Sequence, residues 1–211
     1  MIITIDGPAG AGKSTIAKLL ATRLKIRYLD TGAMYRAVAW KALRQGIAAS
    51  DEAALAGLAR AMKILVDQGK VEVDGRDVTG EIRTEAISQA ASVISAHPRV
   101  REALVEKQRD IGRRGSLVTE GRDQGSVVFP EAEHKFYLVA STEERARRRQ
   151  KDVGGDPTAV RADIEKRDAR DRGRAASPLV RPAGAVEIDT TRLTIDQVLR
   201  RILDVVAPSR P

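Results

Sequence analysis

The sequence has no cysteine and few aromatic residues, and each scarcity excludes a class of protein. Without cysteine the chain forms neither a disulfide framework nor a thiolate metal site, so we expect a reducing, cytoplasmic location. Phe, Trp and Tyr make up 3% of the 211 residues, too few for the base stacking that single-strand nucleic-acid binders use. Apolar runs of about 20 residues, the length of a membrane span, are also missing. We therefore expect a soluble protein with neither nucleic acid nor membrane as a partner.

The residues that are abundant suit one aliphatic core and an anionic ligand. Hydrophobic residues reach 42%, so Ile, Val, Leu and Ala must build the core. The length fits one α/β domain with a modest insertion. The net charge is +8, from 37 Lys and Arg against 29 Asp and Glu, and the charges are interspersed rather than gathered in a tail. This distribution favours small phosphate-bearing ligands over a polynucleotide.

The first 44 residues predict the start of a parallel sheet. A β-branched run at residues 2–5 reads as a buried strand, and a glycine-rich turn connects it to an amphipathic helix at 13–25. A second strand at 26–29 and a helix at 33–44 complete a βαβ unit. The same rhythm returns later in the chain, with strands expected at residues 116–119, 135–139 and 186–189, and a closing helix at 194–206. Together these segments predict a parallel five-stranded sheet flanked by helices.

The middle of the chain departs from this rhythm and predicts an inserted lobe. A helix is expected at 52–66, followed by short alternating segments on either side of Asp74-Gly75, a strong hairpin signal. The predicted lobe spans residues 63–93 and holds a small antiparallel sheet. Residues 1–62 and 94–211 form the predicted core, with helices at 84–95 and 99–113. A charged helical segment at about 143–165, broken by glycines at 154 and 155, is expected to act as a lid.

A phosphate-binding loop follows the first strand. It matches the pattern G-x-x-x-x-G-K-[ST] at every fixed position, and it lies between a strand and a helix, as the mechanism requires. Its backbone N–H groups can surround a phosphate, Lys13 can reach the β and γ phosphates, and the Ser14 hydroxyl can bind Mg²⁺. The fold class is therefore α/β of the P-loop NTPase type. The predicted ATP-binding residues are Gly7, Pro8, Ala9, Gly10, Ala11, Gly12, Lys13, Ser14 and Thr15.

Two arginine-bearing turns predict a second anion site for a phosphoryl acceptor. Arg36 follows the second predicted strand and Arg122 the third, and ligands of such sheets bind at the carboxyl ends of the strands. A guanidinium group at that position can bind an acceptor phosphate through two hydrogen bonds. Guanine-binding N-K-x-D sequences, expected of GTPases, are missing. The combination indicates a kinase for a small phosphate-bearing molecule.

At this level of detail the sequence resembles the bacterial cytidylate kinases. The matching segments run in the order of that family and cover nearly the whole chain: IDGPAGAGKST (5–15), LDTGAMYR (29–36), DVTGEIR (77–83), PRVREAL (98–104), EGRD (120–123), VVFP (127–130) and RDARDR (167–172). The central insert also fits. The resemblance implies transfer of the γ-phosphoryl group of ATP to CMP, and to dCMP. Glu120 departs from the family, in which aspartate is common there, and the lid near residues 153–156 is short.

The resemblance also implies an acceptor site. Arg36 and Arg122 would bind the acceptor phosphate, Ser92 and Arg101 would help to recognise the cytosine edge, and Asp123 would meet the sugar or the base. The full set implied for the acceptor is Thr31, Arg36, Ser92, Arg101, Arg122, Asp123, Arg167, Asp171 and Arg174.

Phosphoryl transfer between two phosphates needs positioning and charge neutralisation rather than a strong base. Lys13 is the predicted catalytic cation on the ATP side. Arg145 and Arg149, one helical turn apart in the lid segment, are expected to close over the transferring group. Mg²⁺ is the expected cofactor, with Ser14 and, through water, Asp30 as its ligands.

Two other functions remain open at this point. The first is a kinase of the same architecture with another small acceptor, such as UMP, and the second is an NTPase stimulated by nucleic acid, motivated by the charge of +8. The expected partners are ATP and CMP or dCMP, and we expect a monomer.

Overall fold

The computed structural model describes residues 1–67 and 69–206. The helices are α1 (Lys13–Leu24), α2 (Thr31–Arg44), α3 (Glu52–Ala61), α4 (Glu85–Ile94), α5 (Pro98–Arg113), α6 (Thr142–Val153), α7 (Pro157–Gly173) and α8 (Ile195–Val206). The strands are β1 (Ile2–Asp6), β2 (Arg27–Asp30), β3 (Ile64–Asp67), β4 (Lys70–Val73), β5 (Arg76–Asp77), β6 (Leu117–Gly121), β7 (His134–Val139) and β8 (Val186–Asp189).

Five strands form one parallel sheet in the order β2-β6-β1-β7-β8, which confirms the predicted fold class. In the β1–β6 pair Ile2 lies opposite Leu117 and Asp6 opposite Gly121. Ile3, Ile5, Leu117 and Phe136 are fully buried, so aliphatic side chains and one phenylalanine fill the core around the central strands. Because the register aligns the carboxyl ends of β1 and β6, the segments that follow these two strands emerge at the same edge.

The chain divides into two compact units. One contains Met1–Arg27 and the chain from Ser116 onward, and the other contains Tyr28–Gly115. The predicted division into a core and an inserted lobe at 63–93 stays a prediction. Gln68 of the predicted lobe and residues 207–211 of the predicted core lie outside the described residues.

One secondary-structure prediction in the middle of the chain is wrong. The helix expected at 52–66 ends at Ala61, and Ile64–Asp67 forms a strand instead. The small antiparallel sheet therefore has the order β3-β4-β5 rather than a single hairpin. Burial alternates along β3, where Leu65 is exposed and Val66 is buried, because pairing with β4 imposes the two-residue period of a strand.

The hairpin prediction is confirmed at Asp74 and Gly75, which connect β4 to β5 with φ of 51° and 84°. Positive φ at both central residues is the requirement of a type I′ turn.

Side-chain caps set the N-termini of α6 and α7. The Ser141 hydroxyl accepts a hydrogen bond from Glu144 N at 3.2 Å, and the Asp156 carboxylate accepts one from Ala159 N at 2.8 Å. Pro157 occupies the first turn of α7, where its missing N–H costs nothing. The break predicted at the two glycines between these helices is confirmed. The lid function of this segment stays a prediction.

Among the residues described, no helix has both the length and the apolar character needed to cross a membrane.

Candidate active site

The phosphate-binding loop between β1 and α1 requires glycine at particular places. Gly7 has a φ of 146°, and a Cβ atom there would lie 2.1 Å from the carbonyl oxygen of Leu138. Gly10 has a φ of 76°, and a Cβ atom there would lie 2.8 Å from the carbonyl oxygen of Arg145. Side chains at these two positions would both clash and strain the backbone. The loop therefore keeps a compact path, of the kind in which successive backbone N–H groups can bind a phosphate.

Lys13 is the first residue of α1 and is almost completely buried, at 5% exposure. Its Nζ donates a hydrogen bond to the carbonyl oxygen of Pro8 at 2.7 Å. Burial, and after it the positive charge of Arg122, lowers the pKa of Lys13 to about 7. The carboxylates of Glu120, Asp171 and Asp6 oppose this shift only in part, and the negative charge of a bound triphosphate would favour the protonated form of Lys13 further.

Ser14 and Thr15 are exposed at the first turn of α1, which has no acidic residue there. The Ser14 hydroxyl donates a hydrogen bond to Glu120 Oε1 at 2.7 Å. Glu120 ends up beside the loop because β6 pairs with β1. The sequence analysis missed Glu120 as a candidate site residue. Its signal was an acidic residue near the end of a predicted parallel strand, which becomes informative once the strand order is known.

The Asp30 carboxylate has partners within its own segment of the chain, and its metal role through water stays a prediction. Its Oδ1 accepts a hydrogen bond from Ala33 N at 2.9 Å and caps α2, and its Oδ2 forms an ion pair with Arg36 at 2.9 Å. Both oxygens are therefore engaged within one turn of chain. No group of three or more His, Cys, Asp or Glu side chains arranged for a metal occurs in residues 1–67 and 69–206.

A buried carboxylate shapes the turn that follows β6. Asp6, at the end of β1, accepts hydrogen bonds from Gln124 N at 2.8 Å and from Gly125 N at 2.7 Å. Burial raises the pKa of Asp6 to about 7, against the opposing effect of these two N–H donors. The residues 124–128 form a single π-helical turn immediately after Arg122 and Asp123. Asp6 therefore fixes the point where the chain leaves these two predicted acceptor residues.

Arg122 and Asp171 form an ion pair in the same unit as the phosphate-binding loop. Arg122 Nε lies 2.8 Å from Asp171 Oδ2, and Arg174 lies 3.6 Å from the other oxygen of Asp171. Burial alone would lower the pKa of Arg122, but the Asp171 and Glu120 carboxylates outweigh it and raise that pKa. Burial likewise opposes ionisation of Asp171, and Arg122 and Arg174 lower its pKa overall. Both groups are thus held in their charged forms.

Arg149 and Arg167 add positive charge to this cluster. Burial lowers the pKa of Arg167, and the charges of Arg122 and Arg149 lower it further, with Asp163 at 3.7 Å as a partial counterweight. Guanidinium groups that repel one another in a partly buried place are stabilised by a bound anion. The structure therefore brings Arg122, Arg149, Arg167, Asp171 and Arg174 together in the unit that contains the loop.

Arg145 has different contacts from the arginines of this cluster. It is buried at 4% exposure and forms an ion pair with Asp168 of α7. It also donates hydrogen bonds to the carbonyl oxygens of Ala9 at 3.1 Å and Ala140 at 3.1 Å. This position is against the backbone of the phosphate-binding loop, so the predicted pairing of Arg145 with Arg149 over the transferring group does not match the structure. Residues one turn apart on α6 have different surroundings.

The other predicted acceptor residues belong to the unit Tyr28–Gly115. Thr31 is buried at the start of α2, Ser92 is buried in α4, and Arg36 pairs with Asp30. Arg101 of α5 is buried, donates a hydrogen bond to the carbonyl oxygen of Ser95 at 3.1 Å, and lies over the ring of Tyr35 at 5.4 Å. The packing of α2 against α4 and α5 therefore places polar groups from three helices within one unit.

Comparison with known proteins gives a consistent result. The family described as cytidylate kinase matches residues 3–208. A protein named cytidylate kinase from Caldanaerobacter subterraneus is 50% identical over 209 residues, which cover 97% of this chain and 93% of that protein. A protein of the same name from Symbiobacterium thermophilum is 47% identical, with 96% and 94% covered. Among solved structures, a gluconokinase from Sinorhizobium meliloti has a TM-score of 0.53 at 14% identity, with 97% and 90% covered, and this likeness supports the fold alone.

Proposed function

Because this chain belongs to the cytidylate kinase family, we propose that it transfers the γ-phosphoryl group of ATP to CMP, giving ADP and CDP. It is a phosphotransferase of the nucleoside-monophosphate kinase type. The observation that carries the proposal is the complete phosphate-binding loop, with Lys13 buried beneath it. The same unit contains the cluster of Arg122, Arg149, Arg167, Asp171 and Arg174. A kinase needs both a triphosphate site and a second anion site. The family match and the relatives give the acceptor as CMP, and they do not favour the rival acceptors or the nucleic-acid-stimulated NTPase.

The phosphate-binding loop is the proposed site for ATP, the phosphoryl donor. Residues 7–15 bind the triphosphate of ATP, mainly through the backbone N–H groups that follow Ala9, and Lys13 neutralises charge on its β and γ phosphates. An oxygen of the acceptor phosphate forms a bond to the γ phosphorus while the bond from that phosphorus to the bridging oxygen of ADP breaks. The attacking oxygen is already ionised, so the protein supplies alignment and positive charge rather than a general base. Arg149 stabilises the charge on the transferring group from its place near Arg167.

We propose acceptor roles for residues of each unit separately. In the unit with the loop, Arg122, Arg167 and Arg174 bind the CMP phosphate; Asp171 keeps two of these arginines oriented, and Asp123 meets the sugar or the base. In the other unit, Arg36 contributes to phosphate binding, while Thr31, Ser92 and Arg101 contribute to the nucleoside site. A site that offers both hydrogen-bond donors and hydrogen-bond acceptors suits cytosine, whose exocyclic amine donates a hydrogen bond and whose N3 accepts one.

Mg²⁺ is the proposed cofactor, and the oxygen ligands present fit it. The Ser14 hydroxyl and the Glu120 carboxylate lie 2.7 Å apart, and hydroxyl and carboxylate oxygens are ligands that Mg²⁺ accepts, directly or through water. When bound there, Mg²⁺ would neutralise negative charge on the phosphate oxygens. Asp30, whose oxygens contact Ala33 and Arg36, is the second candidate for binding the metal through water.

A paired substitution separates these two candidates. We expect Glu120→Gln to raise the Mg²⁺ concentration for half-maximal turnover about tenfold or more, the scale for loss of a group that orients a metal. Asp30→Asn keeps an oxygen that can cap α2, and we expect it to leave the Mg²⁺ titration unchanged. The measurement is turnover against free Mg²⁺ at saturating ATP and CMP. A shifted titration for Asp30→Asn with none for Glu120→Gln would return the metal role to Asp30.

The proposed function is tested with a panel of acceptors. ADP production is measured in a coupled assay with CMP, dCMP, UMP and AMP at fixed ATP, and the background is the same mixture without acceptor. We expect CMP to give the highest kcat/KM, with dCMP also accepted. ADP release with CMP no greater than the background would contradict the assignment, and stimulation by added RNA or DNA would favour the NTPase. We further propose that the enzyme acts in the cytoplasm, where both substrates occur, and as a monomer.

A further inference from the structure

The two polar groups of the Ala9 backbone are held by one buried ion pair. Ala9 N donates a hydrogen bond to Asp168 Oδ1 at 3.3 Å, and the Ala9 carbonyl oxygen accepts one from Arg145 at 3.1 Å. Arg145 donates a hydrogen bond to Asp168, and the two residues are 4% and 3% exposed. They come from α6 and α7, so two helices far along the chain contact the same residue of the phosphate-binding loop.

The planarity of the peptide bond converts these contacts into an orientation of the loop. In a trans peptide the C=O and the following N–H point in opposite directions. The bond from Ala9 N to Asp168 therefore directs the carbonyl of Pro8 the other way, where it accepts a hydrogen bond from Lys13 Nζ at 2.7 Å. By the same geometry, the bond from the Ala9 carbonyl to Arg145 directs the N–H of Gly10 away from Arg145. The ion pair thus sets two consecutive peptide planes.

The backbone of α6 reinforces this arrangement. A Cβ atom on Gly10 would lie 2.9 Å from Cβ of Arg145, so α6 packs directly against the loop at the residue after Ala9. Arg145 is itself fixed by the Ala140 carbonyl oxygen at 3.1 Å and by the Thr142 hydroxyl at 3.0 Å. A guanidinium group with these partners is a rigid part of the wall behind the loop. It is a positioning group rather than one that reaches the transferring phosphate.

We propose that the Arg145–Asp168 ion pair is the positioning element of the ATP site: by holding both sides of Ala9 it directs the Gly10 amide and the Lys13 ammonium group towards the triphosphate. The inference rests on the proposed function. It assigns Asp168 a role that the sequence analysis did not give it, and it replaces the predicted action of Arg145 as a closing lid arginine. Asp171, one turn further along α7, pairs with Arg122 instead. The same helix therefore contacts the donor loop with one carboxylate and the acceptor arginines with the next.

The test measures the affinities for MgATP and for CMP separately, by calorimetry on the full chain. Asp168→Asn keeps an oxygen for Ala9 N but presents its amide to Arg145, so it breaks the ion pair with little change of volume. We expect the Kd for MgATP to rise about tenfold or more, the equivalent of about 1.4 kcal/mol, and the Kd for CMP to change less than about threefold. KM for ATP should rise accordingly. A merely structural role would lower the melting temperature without this difference between ligands.

Controls make the result specific. Glu143→Gln removes the ion pair with Arg161, which joins the same two helices at an exposed place 3.3 Å apart, and we expect it to leave both affinities unchanged. If Asp168→Asn does not fold, the double variant Arg145→Met, Asp168→Leu replaces the buried pair by apolar side chains, which proteins often tolerate. It lacks both bonds to Ala9, so the same rise in the MgATP Kd is expected.

The outcomes separate the inference from the function on which it rests. Unchanged MgATP affinity in the variants, or equal loss of affinity for MgATP and CMP, would overturn the inference while the unaltered protein still binds both ligands. Failure of the unaltered protein itself to bind MgATP would instead contradict the proposed function.

Discussion

Replacing Lys13 by Met is expected to reduce kcat for CMP phosphorylation about 10³-fold, the upper end for removal of one preorganised group that stabilises charge in a transition state. Lys13 is the buried cation at the base of the phosphate-binding loop, and its Nζ is held by the Pro8 carbonyl oxygen at 2.7 Å. The negative charge on the γ-phosphoryl oxygens and on the leaving oxygen of ADP is distributed differently in the transition state than in the ground state. A fixed ammonium group there acts without reorganisation, and Met cannot replace its charge.

The stability of the variant distinguishes this role from a structural one. Burial lowers the pKa of Lys13 to about 7, so the folded protein bears a cost for keeping that side chain charged, and Met of similar length avoids this cost. We therefore expect the free energy of unfolding of Lys13→Met to be unchanged or higher while kcat falls. Lys18→Met is the matched control, since Lys18 is exposed on the same helix, and its kcat should match that of the unaltered protein. If Lys13→Met kept a tenth of the original kcat, the catalytic role of Lys13 would be wrong.

Features with a fixed local geometry could be predicted from the sequence. The spacing of Gly7, Gly12, Lys13 and Ser14 specifies the loop because its shape depends on backbone angles that neighbouring residues determine. Asp74-Gly75 specifies its turn for the same reason. The engagement of Asp30 was also local: a carboxylate three residues before Ala33 is the pattern of a helix N-cap. Applying that rule to the sequence would have identified Asp30 as the cap of α2.

Features that depend on which elements are neighbours could not be predicted. The run at residues 64–66 suits a helix or a strand equally, and pairing with β4 decides for a strand. Glu120 reaches Ser14 only because β6 pairs with β1. Helical spacing correctly placed Arg145 and Arg149 one turn apart on α6, but spacing carries no information about the partner surface. That surface is α7 with Asp168 for Arg145, and it places the two arginines in different surroundings.

The second large effect is expected at Arg122, where substitution by Met should raise KM for CMP about 10²-fold, with KM for ATP changed less than about threefold. Charge-assisted hydrogen bonds to a phosphate are among the stronger polar contacts in proteins, and a guanidinium group can form two of them at once. Arg122 is held in place through its Nε by Asp171 at 2.8 Å, so its remaining N–H groups are directed without a further loss of conformational freedom. Steady-state kinetics with each substrate varied in turn gives both constants.

The two substrates should respond differently to Arg122→Met because of the charges around Lys13. The positive charge of Arg122 is the second cause, after burial, that lowers the pKa of Lys13. Removing that charge raises the pKa of Lys13 and favours its protonated form, which supports ATP binding, so we expect the larger change in KM for CMP. Arg122→Lys keeps a charge but has no planar fork, and we expect it to recover only part of the CMP affinity. Arg200→Met, an exposed arginine of α8, is the control. Equal rises in KM for both substrates would mean that Arg122 supports the fold of this unit instead of binding the acceptor.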